Sequence, residues 1–125
     1  MKIEEKLKLI ANEIVRIRDK NKPCIICGNN LILPVCCHYF KQSKSQLTSW
    51  DIRNIHLGDQ LCNGYEENTT KLHLNHKKNL IYREGQETYN KLEYLANSCI
   101  KLSKSEKEEK YQEYKVILKE LRASK

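Results

Sequence analysis

The side chains able to do more than pack are six cysteines and four histidines. Cys24-Ile25-Ile26-Cys27-Gly28 sets two thiols two residues apart, a spacing that lets both point into one tetrahedral metal site. Gly28 behind them tolerates the positive φ of a tight turn. Asp59-Gln60-Leu61-Cys62 repeats the spacing with aspartate in the first place. Two such turns in one short chain predict a structural Zn2+, and the leading ligand set is Cys24, Cys27, Asp59 and Cys62. His56 and Cys36 are the other candidates for the fourth position. A dithiol redox centre fits less well, because no strand-helix-strand pattern surrounds Cys24 and Cys27.

Between the two turns stands Cys36-Cys37-His38-Tyr39-Phe40. Phosphodiester hydrolysis needs a base for water, a hard cation against the phosphate, and a group that holds the base in place. His38, Asn54 and Asn63 follow one another in an order that suits these roles. His38 is the candidate base and Asn54 a brace for the connecting segment. Asn63 offers an amide oxygen suited to a catalytic Mg2+ or Mn2+. Glu67 lies four residues beyond Asn63, on the same helical face, where it is a candidate second oxygen ligand, and its plainer role is that of a solvated helix residue.

The elements that must position these groups follow from periodicity. Ile3, Leu7, Ile10, Ile14 and Ile17 mark an amphipathic helix over 3–19, closed before Pro23. Leu31 to Val35 predicts a short strand limited by Pro34. Residues 41–49 read as a basic loop. Trp50 and Ile52 alternate with Asp51 and Arg53, which predicts a second strand over 49–56. Gly58-Asp59 reads as a turn into a helix opening at Cys62. Further helices are expected over 69–82, over 86–102 with Cys99 in its apolar stripe, and over 106–122 behind a Ser103-x-x-Glu106 capping box. The class is therefore α+β and mostly helical. A small zinc-stapled ββα-metal, or HNH-like, core over 22–70 is flanked by an N-terminal helix (1–21) and C-terminal helices (71–125), all in a single domain. So small a core needs a staple.

The formal net charge of +7 favours a polyanionic partner, although a lysine-rich composition also arises in an AT-rich genome. Lys41, Lys44 and Arg53 lie near His38, and Lys71, Lys77, Lys78 and Arg83 follow the core; together they are the candidate nucleic-acid contacts. The first nineteen residues are charged throughout, with no apolar segment of a secretory signal and none to span a membrane. A reducing, cytoplasmic setting is expected, and there cysteine pairs read as metal ligands.

Several stretches carry a family likeness. They are Arg16-Ile17-Arg18-Asp19, Pro23 to Gly28, His38-Tyr39, Asn54-Ile55-His56, Cys62-Asn63, Glu84-Gly85-Gln86-Glu87 and Tyr114-Lys115 to Leu121. In this order and spacing the chain resembles the phage NinG/Rap recombination protein family. The resemblance implies an HNH-related, zinc-containing, structure-selective endonuclease in the phage-infected bacterial cytoplasm. Its implied substrates are branched intermediates such as Holliday junctions and D-loops. Other phage recombination proteins and a second copy of the chain are the further partners considered. The chain departs from the family pattern at Cys37, where glycine is usual, and at Asp59, where cysteine is usual. It departs again at Gly64-Tyr65-Glu66-Glu67, where basic residues and a histidine are usual. These departures define a second reading, a non-catalytic zinc module that binds DNA or protein through an eroded nuclease site. A third makes the helices a dimerisation surface.

Overall fold

The apolar stripe of the first helix finds its partner at the far end of the chain. In the computed structural model, which describes residues 1–124, α1 (Ile3–Arg18) buries Leu7, Ile10, Ala11, Ile14 and Val15. The last helix lays Tyr114 and Leu118 against that stripe. The two helices run parallel, with Lys107 beside Glu4 at their starts and Arg122 paired with Glu13 further along.

Between them in the chain comes a two-stranded antiparallel sheet of β1 (Pro34–His38) and β2 (Ile55–Asp59). The register pairs Pro34 with Asp59, Cys36 with Leu57, Cys37 with His56 and His38 with Ile55. Because cross-strand partners share a face, Cys36, His38, Ile55 and Leu57 lie on one side, and Ile55 and Leu57 join the α1 core. Cys37 and Gly58 lie on the other side, over a small cluster of Cys24, Ile25 and Ile26.

Both strands differ in extent from the sequence expectation. Leu31 precedes β1, and residues 50–54 form turns rather than strand. For residues 50–54 the cause is the last helix. The Tyr114 hydroxyl donates to the Trp50 carbonyl at 2.7 Å and accepts from the Ile52 amide at 3.3 Å. The alternation of Trp50 and Ile52 thus serves helix packing. The expected loop over 41–49 ends in a short helix, α2 (Gln46–Ser49), capped by Ser45. Gly58-Asp59 is not a turn but the end of β2, and Asp59 is the N-cap of α3 (Gln60–Tyr65).

A 3-10 turn (Glu66–Asn68) carries α3 into α4 (Thr70–Glu84). Gly85, at φ 96°, makes the sharp break into α5 (Gln86–Ala96). Leu80 of α4 and Tyr89, Leu92 and Ala96 of α5 enclose Tyr39 and Phe40 in a second apolar cluster. Helix α5 stops earlier than expected because Asn97 turns back onto it: its side-chain amide donates to the Glu93 carbonyl at 2.9 Å. Cys99 therefore lies beyond the helix and is exposed, not in the core. The last helix, α6 (Lys104–Ala123), opens on the expected capping box of Ser103 and Glu106. The α+β, mostly helical class is thus as the sequence indicates. No helix of the described residues is long and apolar enough to cross a membrane.

A Cβ on Gly58 would meet the Cys37 sulfur at 2.7 Å. Gly58→Ala is therefore expected to cost about 1–3 kcal/mol in denaturant unfolding, the usual penalty of overpacking. Adding Cys37→Ala should recover part of that loss, because it removes the clashing atom. Additive losses in the double variant would show that the two residues do not compete for this space.

Candidate functional site

Three thiols converge at the first turn. The sulfurs of Cys24, Cys27 and Cys62 all lie within 4.8 Å of one another. Sulfurs on one tetrahedral zinc at about 2.3 Å stand a little under 4 Å apart, so the spacing fits a shared ion. The backbone prepares the site. The Cys24 sulfur accepts N–H groups from Ile26 (3.4 Å), Cys27 (3.5 Å) and Asp59 (3.2 Å), and the Cys27 sulfur accepts that of Asn29 (3.5 Å). Burial alone would push the Cys24 thiol up, but the N–H groups of Cys27, Asp59 and Ile26 outweigh it and hold its pKa below the ordinary value. Burial and the neighbouring sulfurs push Cys62 up, a repulsion that a bound cation would reverse. The soft donor set and the N–H···S bonds fit a structural metal ion, and all six cysteines are unpaired thiols.

Asp59 does not join the three sulfurs. Its carboxylate accepts from the Ile32 amide at 3.1 Å and from the Leu61 amide at 3.1 Å, and these bonds lower its pKa. As an N-cap it holds the start of α3, and it meets the cluster through its backbone N–H instead. The alternatives lie elsewhere too. His56 donates from Nε2 to Glu84 at 2.8 Å, and the Cys36 thiol is directed to the Asn12 carbonyl at 3.8 Å on the α1 side.

His38 and Asn63 line one cavity of about 270 Å3, together with Cys36, Tyr39, Lys41, Gln42, Glu66, Glu67 and His73. His38 Nε2 lies 2.9 Å from the Ser49 carbonyl. A carbonyl only accepts, so Nε2 carries the proton and Nδ1 is the basic nitrogen. Burial lowers the His38 pKa, with the charge of Lys8 acting the same way and the Ser49 carbonyl opposing, so the neutral ring prevails at pH 7.

Asn54 does not enter that cavity. It is fully buried just before β2, and its amide spans the connection from β1. Its oxygen accepts the Phe40 N–H at 2.9 Å, and its nitrogen donates to the carbonyls of Phe40 (2.9 Å) and Thr48 (3.1 Å). It thereby fixes the backbone next to Ser49, the residue that orients His38.

The sequence marks Glu66 only as an acidic departure from the family pattern, and gives His73 and His76 no role. Glu66 Oε2 accepts from His76 Nδ1 at 2.7 Å and from His73 Nδ1 at 3.2 Å. The His73 ring stacks on Tyr39, with centroids 4.8 Å apart. The faint signal was the spacing of His73 and His76, one turn apart on a helix. Glu67 is exposed and pairs with Lys41.

The basic residues divide. Lys41, Lys44, Lys71 and Lys78 are exposed, and the Lys44 ammonium lies over the Phe40 ring. Lys77 lies over Tyr89, with its ammonium 5.1 Å from the ring centroid. Arg53 and Arg83 are each engaged within the chain. Arg53 makes two bonds to Asp51 (3.0 and 2.6 Å), and Arg83 donates to the Pro23 carbonyl at 2.6 Å.

Compared with known families, residues 1–124 match the model described as "NinG: Bacteriophage Lambda NinG protein". No curated protein and no solved structure matches the chain.

The cluster makes a separable prediction. Purified protein is expected to carry about one zinc per chain, and replacement by cobalt should give thiolate charge-transfer absorption. Cys24→Ser or Cys62→Ser should lose the metal and loosen the centre of the fold. Asp59→Ala should keep the metal but lower thermal stability by removing the α3 cap. Metal loss in Asp59→Ala with the fold intact would return the aspartate to the ligand set.

Proposed function

The chain belongs to the bacteriophage lambda NinG family, and from that premise we propose that it is a divalent-metal-dependent, HNH-like endonuclease acting on branched DNA recombination intermediates. Family membership supports a role in phage recombination. The observation that carries the nuclease reading is His38. It is a neutral imidazole at the end of β1, anchored through Nε2 and leaving Nδ1 basic, in a cavity shared with Asn63, the fourth residue of α3. The order β1, β2, α3, with His38 ending β1 and Asn63 inside α3, supports reading these elements as a ββα-metal core.

In this reading His38 Nδ1 takes a proton from the water that attacks the phosphodiester. Asn54 acts through His38 rather than on the substrate, because it fixes the loop whose Ser49 carbonyl sets the ring's tautomer and direction. Asn63 offers an amide oxygen for Mg2+ or Mn2+, which when bound would supply positive charge against the phosphate and the leaving oxygen. Cys37 takes no part. Its thiol is buried on the opposite face of the sheet, and burial raises its pKa far above neutrality. Lys41, Lys44, Lys71, Lys77 and Lys78 supply phosphate contacts that carry no base identity, so selection by branch shape suits them. Zinc at the three thiols is structural.

One observation favours the non-catalytic alternative. Glu67 neutralises Lys41 at the cavity, which removes a cation from the phosphate path.

The test compares wild type with His38→Ala on labelled four-way and linear DNA, with Mg2+ or Mn2+. His38→Ala is expected to cut at least about 100-fold more slowly, the usual contribution of a general base, with zinc content and DNA binding unchanged. Its lowered pKa sets the sign of the pH dependence. The neutral form persists below the ordinary imidazole pKa of about 6.5, so the acid limb of the rate should fall at a midpoint below that value. Equal cutting by both proteins would remove His38 from the chemistry. Salt-sensitive binding of branched DNA without cutting by either would establish the non-catalytic module.

A further inference from the structure

We propose that Glu66 supplies the carboxylate of the divalent-cation site beside Asn63, with His73 and His76 as the positioning residues that hold it. This rests on the reading of the His38 cavity as a cation-dependent site and names the charged ligand which that reading leaves open. Asn63 is neutral, and a neutral amide alone is a weak partner for Mg2+ or Mn2+, which favour carboxylate oxygens. No acidic residue stands in β1, and the Cys37 thiol is soft, buried and on the far face of the sheet.

Glu66 meets the requirement on four counts. It lies three residues after Asn63 where the helical backbone continues, at φ −54° and ψ −41°, so both side chains share a face. Both line the same cavity. The Glu66 side chain is only 12% exposed, unlike Glu67 at 68%, whose carboxylate already pairs with Lys41. Two imidazoles converge on one oxygen, Oε2, and leave Oε1 with no hydrogen-bond partner among the described residues.

An ionised carboxylate only accepts, so both rings donate from Nδ1. His76 is wholly buried and its Nε2 has no partner, which leaves Glu66 as the only polar anchor of that ring among the described residues. His73 is held from its face by Tyr39. A carboxylate braced in this way loses little freedom on binding a cation. Imidazole-to-carboxylate bonds of this kind are what orient metal ligands from behind.

The experiment titrates Mn2+ into the zinc-loaded full chain and follows the loss of free-ion electron paramagnetic resonance signal. Glu66→Gln is expected to weaken Mn2+ binding at least about tenfold, and His73→Phe by roughly tenfold, the usual effect of removing a ligand's supporting bond. Glu67→Gln should weaken binding less than Glu66→Gln does, and Glu87→Gln, on an exposed position of α5, should bind as wild type does. Zinc content and melting temperature verify the fold of each variant. Because Glu66→Gln could disturb the buried His76, line broadening in wild type provides a second measurement. Low Mn2+ should broaden the ring signals of His73 and His38 first. Unchanged affinity in Glu66→Gln, loss confined to Glu67→Gln, broadening centred elsewhere, or no Mn2+ binding by wild type would each overturn the assignment. Glu66-dependent Mn2+ binding in a protein that cuts no DNA would support the site and overturn the nuclease reading alone. Cutting that persists with normal Mn2+ affinity in Glu66→Gln would do the reverse.

Discussion

The Cys24 sulfur is the point on which the centre of the chain hangs. It gathers N–H groups from its own turn and one from Asp59, thirty-five residues away, where β2 gives way to α3. The adjacent Ile25 N–H bonds the Leu57 carbonyl at 3.1 Å, so the turn lies along β2 as a partial third strand. Two strands alone are marginal in water. Here the sheet is closed on one side by α1 and on the other by this turn. Helix α3 then carries Cys62 back to Cys27 and Asn63 to the His38 cavity. A metal ion at the three thiols would fix the start of α3, and its binding energy would appear as folding energy.

The remaining joints are made by buried polar groups whose bonds cross between elements. Asp19, wholly buried at the end of α1, accepts from Arg18 at 2.7 Å and from the Leu57 N–H at 3.1 Å. Arg18 continues to the carbonyls of Ile52 (2.8 Å) and Ile55 (2.6 Å), which locks α1 to the segment entering β2. Burial by itself raises the Asp19 pKa, but Arg18 and the Leu57 amide bring the net shift below the ordinary value. The folded form therefore gains stability above the unfolded carboxyl pKa and loses it as acid protonates the group. Asn54 does the same work on the other side without charge, with its oxygen and both amide hydrogens used. Removing any of these groups strands its partners away from water, which costs more than one bond.

What could be read from the sequence follows from how local each signal is. The stripe of α1, the Ser103 capping box and the Cys24-x-x-Cys27 turn are set by residues near one another in the chain, and they stand where expected. The errors arise where a local pattern is overruled from a distance. Trp50 and Ile52 alternate like a strand, yet Tyr114 of α6 takes their backbone groups. Gly58 suggests a turn, yet its lack of a side chain makes room for the Cys37 sulfur. Asp59 has a ligand's spacing, but its carboxylate is used in capping. The pairing of Glu66 with His73 and His76 depends on how the 3-10 turn aims α4 at α3, and no short sequence window encodes that angle.

The charge balance around the cavity links these observations. A chain of net charge +7 nonetheless sets two glutamates at the cavity where, on the proposed reading, a phosphate must approach. Glu67 is answered by Lys41. Glu66 instead receives two hydrogen bonds, from His73 and His76, and among the described residues no lysine or arginine pairs with it. Left so, it would oppose a phosphate by several tenths of a kcal/mol to a few kcal/mol, depending on the local dielectric. On the proposed reading, a divalent cation resting on the free Oε1 of Glu66 would reverse the sign of the field at the His38 cavity. The acidic departure from the family pattern at Glu66 is then consistent with a working site, provided the cation and the phosphate occupy the cavity together.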